Sequence, residues 1–239
     1  MKIILSLTSI PSRFHNLNYI LHDLSRQNCN EIWLNIPKKY NRFPDWDGVI
    51  PKFNNPKVFV NVIDKDYGPG TKFIGPALKL DPDDLIIYVD DDTKYNHTMV
   101  DQFVKQIKRE SCAWGLSGFK FKDYFNNSIV RKHDEKVDIL EGYGGVIVKA
   151  GWVQTALPEF EKLLIITCHD DILLCNLLHK QGVDVKTIYK PEFNISHVSQ
   201  YSFGFENDAL HNYFGGHVEN NKKIIKELEL RGFNYFDYK

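Results

Sequence analysis

The sequence predicts an α/β fold, in which a mostly parallel mixed central sheet is flanked by helices. Two observations carry this prediction. Short runs rich in β-branched residues alternate with helical patterns through the first half of the chain, as βα units require. The run at residues 85–89, Leu-Ile-Ile-Tyr-Val, is apolar throughout, which is typical of a strand buried on both faces of a parallel sheet.

Length and composition narrow the class of protein. The 239 residues are enough for one sizeable domain, and no linker-like stretch divides them. Because 30 basic residues nearly cancel 31 acidic ones, the charge gives no reason to expect a nucleic-acid partner. No apolar run is long enough for a membrane span, and the four cysteines show no Cys-x-x-Cys spacing. We therefore expect a single domain over residues 1–239, cytoplasmic and with reduced thiols.

The elements of the first half follow from hydrophobic periodicity and turn signals. Apolar side chains spaced three and four apart predict a helix after Pro11 and further helices at residues 71–80 and 97–110. Residues 37–56, rich in proline and asparagine, predict an irregular excursion. The predicted strands of this half are residues 2–7, 31–36, 57–63 and 85–89.

The second half of the chain has a different pattern. Two apolar runs surround a polar, basic loop at residues 122–136 with no obvious helix between them, which indicates a mixed sheet over residues 111–190. A tail follows at residues 191–239. The predicted strands are residues 113–121, 137–148 and 183–189, and the predicted helices are residues 170–182 and 220–231.

Three consecutive aspartates follow the buried strand at residues 85–89: Asp90, Asp91 and Asp92. The carboxyl ends of strands in open α/β sheets are where ligands bind. Carboxylates this close repel one another, and a hard cation such as Mg²⁺ or Mn²⁺ relieves the repulsion while keeping positions for phosphate oxygens. The alternative is a solvated acidic turn that caps the next helix. The position after a buried strand favours the metal site.

Four other segments carry candidate chemistry. The loop from Asp66 to Lys72 supplies glycine amides and a cation, which suits a phosphate, although a tight turn would use the same residues. Three glycines around Tyr143 would let backbone approach a sugar, or would form a β-bulge. The pair Asp170 and Asp171 begins a helix, where capping explains it equally well in isolation. The fourth segment is the loop after the first strand, residues 8–13.

Taken together, these motifs resemble those of the GT-A glycosyltransferases, whose Asp-x-Asp motif matches Asp90 and Asp92. The resemblance extends to residues 7–13, 66–72, 89–92, 141–145 and 169–171, and it is greatest with a family-2-like subgroup of bacteria and large DNA viruses that includes a viral rhamnosyltransferase domain. It implies a Rossmann-like GT-A domain whose residues 1–110 bind a nucleotide sugar and whose residues 111–190 bind the acceptor. If the protein is viral, the cytoplasm is the host's.

The resemblance also implies roles for individual residues. It places Thr8, Ser9 and Arg13 near the nucleoside, and Asp92 as the direct ligand of Mn²⁺ or Mg²⁺. The remaining donor-side residues implied are Asp66, Lys72, Asp90, Asp91, Tyr143 and Gly144. His197 is a further candidate metal or phosphate contact, because imidazole binds such cations, and its alternative is an ordinary surface histidine.

The implied reaction is inverting transfer of a hexose or deoxyhexose from a UDP-sugar to a hydroxyl of a glycan or glycoprotein. Asp171 would be the base and Asp170 would position the acceptor, in an order that the sequence leaves open. Two alternatives remain. A non-catalytic carbohydrate- or nucleotide-sugar-binding protein would need the same glycines and aromatics. A sugar-nucleotide pyrophosphorylase shares the sheet and the metal, but it requires a glycine-rich basic loop after the first strand, and residues 8–13 contain no glycine.

Overall fold

The computed structural model describes residues 1–120, 129–163, 169–189 and 217–236. Over this part of the chain the elements alternate as predicted through the first half. The strands there are β1 (Ile3–Thr8), β2 (Glu31–Pro37), β3 (Val58–Ile63) and β4 (Leu85–Tyr88). The helices are α1 (Leu17–Leu24), which follows a 3₁₀ segment, α2 (Thr71–Ala77) and α3 (Met99–Arg109).

The second half adds shorter strands and three described helices. The strands are β5 (Ala113–Gly115), β6 (Gly118–Phe119), β7 (Ile129–Val130), β8 (His133–Lys136), β9 (Ile139–Leu140), β10 (Val146–Lys149) and β11 (Val185–Ile188). The helices are α4 (Ala150–Lys162), α5 (Asp170–Lys180) and α6 (His217–Leu230).

An eight-stranded mixed sheet forms the centre of the fold, in the order β3-β2-β1-β4-β10-β5-β11-β8. The four strands of the first half are parallel, as is the pair of β5 and β11. β10 runs antiparallel to both of its neighbours, and β8 runs antiparallel to β11. The predicted α/β class with a mostly parallel mixed sheet is confirmed.

Core side chains fill both faces of the sheet. Ile4 and Ile86 point toward α2, α4 and α5, whereas Leu5 and Ile87 point toward α1 and α3. All four residues of β4 are buried, as expected for a strand that is covered on both faces. In the described ranges, no helix has the length and apolar character needed to cross a membrane.

Four local predictions were wrong. The predicted strand at residues 113–121 is two short strands, β5 and β6, and β6 pairs with β7 and β9 outside the eight-stranded sheet. The run 137–148 is interrupted by a 3₁₀ turn at Gly142–Gly144, and Gly145 after it takes a φ of 84°, which residues with a side chain rarely adopt. The loop predicted at 122–136 contributes the edge strand β8, whose charged sequence has no apolar alternation to reveal it. No helix was predicted at α4, which carries Pro158 in its interior, although Val153 and Phe160 bury its inner face.

A buried polar network fixes α2 against the sheet. Asn35 donates from Nδ2 to the Ser6 hydroxyl (2.8 Å), and Asn61 donates to the Asn35 Oδ1 (2.8 Å). The Ser6 hydroxyl in turn donates to the backbone carbonyl of Lys72 in α2. Gly75 permits this close approach, because a Cβ at that position would lie 2.5 Å from Asn35 Oδ1. The network therefore sets the position of Lys72 at the carboxyl edge of the sheet.

Gly75→Ala tests this packing. Alanine ordinarily stabilises a helix relative to glycine by roughly 1 kcal/mol. Here we expect the opposite sign, a loss of about 1–3 kcal/mol of unfolding free energy, because the added methyl overpacks the Asn35 amide. Urea unfolding followed by circular dichroism measures the change. A variant that is as stable as the parent chain or more stable would refute the close contact.

Candidate functional site

Most of the predicted site residues meet at the carboxyl ends of β1 and β4. Since these strands are parallel and adjacent, the loops that follow them leave the same edge of the sheet. α2 and α5 begin at this edge. The antiparallel strand β10 starts there, so the turn Gly142–Gly144 also lies over it. The topology thus collects five segments that are far apart in sequence.

One group of side chains surrounds the guanidinium of Arg13. Its Nη1 donates to Asp91 Oδ1 (2.7 Å) and to Asp92 Oδ2 (3.2 Å). The Ser9 hydroxyl donates to the other oxygen of Asp91 (2.5 Å). Burial raises the pKa of Asp91 to about 6, against the opposing effect of Arg13. Asp91 is therefore an inward-facing anchor for the loop after β1.

A second group surrounds the ammonium of Lys72, whose side chain is 4% exposed. Lys72 Nζ contacts Asp90 Oδ1 (2.7 Å) on one side and Asp170 Oδ2 (3.0 Å) on the other. Burial lowers the pKa of Lys72, but the carboxylates of Asp170, Asp90 and Asp171 outweigh it and hold the pKa well above its usual value. One buried cation therefore joins the predicted donor motif to the predicted catalytic pair.

Asp171 lies beside this cation without a direct bond to it. Its Oδ2 accepts the backbone N–H of Gly142 (2.7 Å), and its Oδ1 has no hydrogen-bond partner within the described residues. Burial raises its pKa well above the ordinary value, and the neighbouring Asp170 raises it further. A Cβ on Gly142 would lie 2.8 Å from Asp171 Oδ1 and 2.9 Å from Lys72 Nζ, so only glycine leaves this space open.

The charges at this edge do not balance. Among the described residues, two cations, Arg13 and Lys72, face five carboxylates, which are those of Asp90, Asp91, Asp92, Asp170 and Asp171. Oxygen-rich, electronegative surroundings suit a hard divalent cation, so the residues fit the predicted Mg²⁺ or Mn²⁺. Asp90, with 32% of its side chain exposed, and Asp92 would hold it. His197 lies outside the described residues.

Other predicted donor-side residues have structural partners. The Thr8 hydroxyl donates to the Asn35 carbonyl (2.8 Å). Asp66 accepts the backbone N–H groups of Asn41 and Gly68, both at 2.8 Å, and so stabilises its own loop. These bonds show how the loops at the sheet edge are fixed. The nucleotide contacts predicted for both residues remain predictions.

Tyr95, which the sequence analysis missed, connects two of the loops. Its buried hydroxyl accepts the backbone N–H of Asp90 (2.9 Å) and donates to the carbonyl of Tyr143 (2.9 Å). Nothing in its spacing marks it, because the bridge depends on the position of a turn 48 residues away. Gly144 in the same turn approaches Leu116, whose Cβ would lie 3.2 Å from an added Cβ. The turn is thereby held against the aspartate loop.

Glu141 is a second residue that was not singled out. Burial raises its pKa to about 7, which the hydroxyls of Ser117 and Tyr143 and the charge of Arg131 only partly offset. Its Oε2 has no hydrogen-bond partner among the described residues. The ring of Tyr143 is predicted to offer a stacking face for a sugar, and its hydroxyl accepts a long hydrogen bond from Ser117 (3.4 Å).

Another group of potential metal ligands lies at the opposite edge of the sheet. The ligand atoms of Glu110, Cys112 and Asp184 all lie within 4.8 Å of one another, at the start of β5 and β11. Lys186 already contacts both oxygens of Glu110, at 2.7 and 2.9 Å. Burial raises the pKa of the Cys112 thiol to about 12. These residues are explained by an ion pair beside a buried thiol.

Comparison with known proteins gives the fold. No protein-family model and no curated protein matches the sequence. Among solved structures, the chain is similar to 2-C-methyl-D-erythritol 4-phosphate cytidylyltransferase of Francisella tularensis, with a TM-score of 0.52 and 14% identity over 88% of this chain and 96% of that one. A 4-diphosphocytidyl-2C-methyl-D-erythritol synthase gives a TM-score of 0.50 and 13% identity over 79% of this chain and 88% of that one. The chain therefore has a nucleotidyltransferase-like α/β fold, and the glycosyltransferase subgroup remains a prediction.

Glu141→Gln tests the electrostatics of the turn through pH. The pKa of a buried carboxyl that is raised from 4.5 to about 7 makes the folded state bind the proton more tightly than the unfolded state does. The wild type therefore loses stability as the pH rises from about 4.5 through about 7, whereas the neutral amide does not. We expect the free energy of unfolding of the variant, relative to that of the wild type, to increase by up to roughly 3 kcal/mol between pH 4 and pH 8.

Urea unfolding at both pH values measures this gain. An equal difference between wild type and variant at pH 4 and pH 8 would contradict the raised pKa. Glu135→Gln is the matched control, because Glu135 is a partly buried glutamate paired with Lys120, and the pKa of its carboxyl is lowered instead. The stability of Glu135→Gln relative to the wild type should instead decrease as the pH rises from 4 to 8, because the charged form of Glu135 stabilises the folded state.

Proposed function

We propose that this protein is a divalent-cation-dependent glycosyltransferase. It would move a hexose or deoxyhexose from a UDP-sugar to a hydroxyl of a glycan, with inversion of configuration. The observation that supports this most directly is the placement of Lys72. Its ammonium contacts Asp90, on the proposed donor side, and Asp170, on the proposed acceptor side. A positive charge in this position would stabilise the departing diphosphate next to the residues that accept the proton.

The donor side is suited to a diphosphate. Asp90 and Asp92 would hold Mn²⁺ or Mg²⁺, which supplies positive charge to the departing phosphate oxygens. Lys72, in the first turn of α2, would add a second positive charge there. Because Lys72 is almost completely buried, its charge would act at a low local dielectric and so more strongly than at the surface.

The acceptor side is suited to removing a proton from a hydroxyl. Within the described residues neither Asp170 Oδ2 nor Asp171 Oδ1 has a hydrogen-bond partner, but Asp170 Oδ2 forms an ion pair with Lys72 (3.0 Å), whereas Asp171 Oδ1 forms no such pair. The raised pKa of Asp171 makes its carboxylate a stronger base than an ordinary aspartate. Asp171 would take the hydroxyl proton as the oxygen forms a bond to the anomeric carbon and the bond from that carbon to the diphosphate breaks. A single displacement of this kind inverts configuration.

A second candidate is nucleotidyl transfer to a sugar phosphate, as in a sugar-nucleotide pyrophosphorylase. The names of the two structural neighbours support this candidate better than they support glycosyl transfer. Two features of the chain favour glycosyl transfer. The loop after β1 has no glycine, and its cation, Arg13, is paired with two carboxylates. A phosphate nucleophile is already ionised and needs no base, whereas Asp170 and Asp171 form a buried carboxylate pair.

Nucleotide stabilisation tests the donor site. With Mn²⁺ present, UDP at about one hundred times its dissociation constant should stabilise the protein by about 2.7 kcal/mol, or roughly 5–10 °C in Tm. Asp92→Asn should remove this gain. GDP, dTDP and CMP serve as competitors in the same thermal-shift panel. Absence of any nucleotide effect would leave the non-catalytic sugar-binding alternative in place of both transferase candidates.

Product analysis then separates the two transferase candidates. A UDP-sugar incubated with acceptor glycans should release UDP, whereas UTP with a sugar 1-phosphate should release no pyrophosphate. The reverse pattern would establish nucleotidyl transfer. Both reactions can be followed in one phosphorus NMR experiment, which distinguishes UDP, pyrophosphate and the sugar nucleotide directly.

Asp171→Asn tests the base. We expect the transfer rate to fall by roughly 10²–10⁴, because general base catalysis contributes about this factor, while UDP binding stays within about twofold of the wild type. The wild-type rate should rise with pH as the raised pKa of Asp171 is passed, and the variant should lose that rise. Asp101→Asn is the control, since this exposed aspartate also lies in the first turn of a helix. Equal losses in donor binding and rate would argue against a base.

A further inference from the structure

Both aspartates proposed to hold the divalent cation already have a basic partner. Asp90 contacts Lys72, and Asp92 contacts Arg13. The two contacts differ in accessibility. The side chains of Arg13 and Asp92 are only 10% and 11% exposed, so this pair is shielded from water and salt. Asp92 Oδ1 accepts the Thr93 hydroxyl (3.2 Å) and Oδ2 contacts Arg13, so a divalent cation that binds Asp92 through Oδ2 competes with a guanidinium that is already there.

The geometry around Arg13 is asymmetric. Its Nη1 lies 2.7 Å from Asp91 and 3.2 Å from Asp92. The Ser9 hydroxyl donates a second hydrogen bond to Asp91. The loop that carries Ser9 and Arg13 is held in turn by the Tyr40 hydroxyl, which donates to the Ser9 carbonyl (2.6 Å). The contact of Arg13 with Asp91 is therefore the shorter and better supported of the two. Arg13 can give up Asp92 and still keep a charged partner.

We propose that Arg13 is a resident counter-charge for the cation site, which neutralises Asp92 until a divalent cation replaces it. Once replaced, the guanidinium stays bound to Asp91, and its released N–H donor is available to an anionic oxygen of the nucleotide. The inference rests on the proposed function, because it takes Asp92 as a cation ligand. The new element is that the guanidinium of Arg13 neutralises Asp92 in the absence of metal, so removal of Arg13 should tighten metal binding.

The expected direction is the opposite of that for a merely structural arginine. Two positive charges a few ångströms apart in a shielded site repel strongly, so Arg13 weakens the binding of a free cation. Arg13→Gln removes this competition and should tighten Mn²⁺ binding at least tenfold, a difference of about 1.4 kcal/mol. A structural role alone would leave the affinity unchanged, or would weaken it through disorder of the loop.

The experiment uses Mn²⁺ alone, without nucleotide, titrated into the full chain while the free ion is measured by electron paramagnetic resonance. The wild type, Arg13→Gln, Asp92→Asn and Lys38→Gln are compared. Lys38→Gln is the matched control: it removes the same charge from an ion pair with the exposed Asp64. Tighter binding in Arg13→Gln, no change in Lys38→Gln and loss of binding in Asp92→Asn are the results we expect.

Arg13→Gln leaves the buried Asp91 carboxylate without its cation, so the variant is first checked by circular dichroism. If it does not fold, Arg13→Gln is combined with Asp91→Asn, which costs much less than breaking the pair. The double variant is compared with Asp91→Asn alone, because loss of the Asp91 carboxylate weakens cation binding by itself, and it should bind Mn²⁺ at least tenfold more tightly than Asp91→Asn does. Unchanged or weaker Mn²⁺ binding in the folded variants would overturn the proposal. Binding that is independent of Asp92 would overturn the cation site itself, so the two failures are distinguishable.

Discussion

The rest of the site depends on the ion pairs that the buried ammonium of Lys72 forms with Asp90 and Asp170. A lysine is almost never fully buried unless it is paired, because desolvation of the charge is costly. Here Asp90 and Asp170 offset that cost from opposite sides. Removing either carboxylate would leave the cation under-compensated. The strands and helices that deliver these three residues must therefore meet at one point, which ties α2, β4 and α5 together.

The supports of this contact lie deeper in the sheet. Ser6 in β1 bonds to the backbone of Lys72, and Asn35 and Asn61 extend the same network across β2 and β3. Within the described residues the Asn61 Oδ1 of this network has no hydrogen-bond partner, and the bonds made by Ser6 and Asn35 are the ones that specify how α2 packs. The site is thus built on the rigid parallel half of the sheet. The position of the Lys72 side chain therefore depends on how the core packs.

An excess of carboxylates at one edge is unfavourable for folding taken by itself. The raised pKa values of Asp91, Asp170 and Asp171 all result mainly from burial, so each carboxylate is less stable in its charged form than in water. Clusters of perturbed groups in one location are typical of functional sites. The two transferase candidates use this cluster differently, because a hydroxyl nucleophile must lose a proton and a phosphate nucleophile need not.

The sequence by itself determined the α/β class, the buried strand β4, the aspartates that follow it and the helix start at Asp170. These features depend on local periodicity and on residues close together in the chain. Only the tertiary structure decided that Arg13 pairs with residues 78 and 79 positions away, that Tyr95 joins two loops, and that α4 covers the sheet. The physical reason is that these contacts arise from the order and direction of the strands in the sheet, which bring segments far apart in sequence together and leave no periodic signal in the chain.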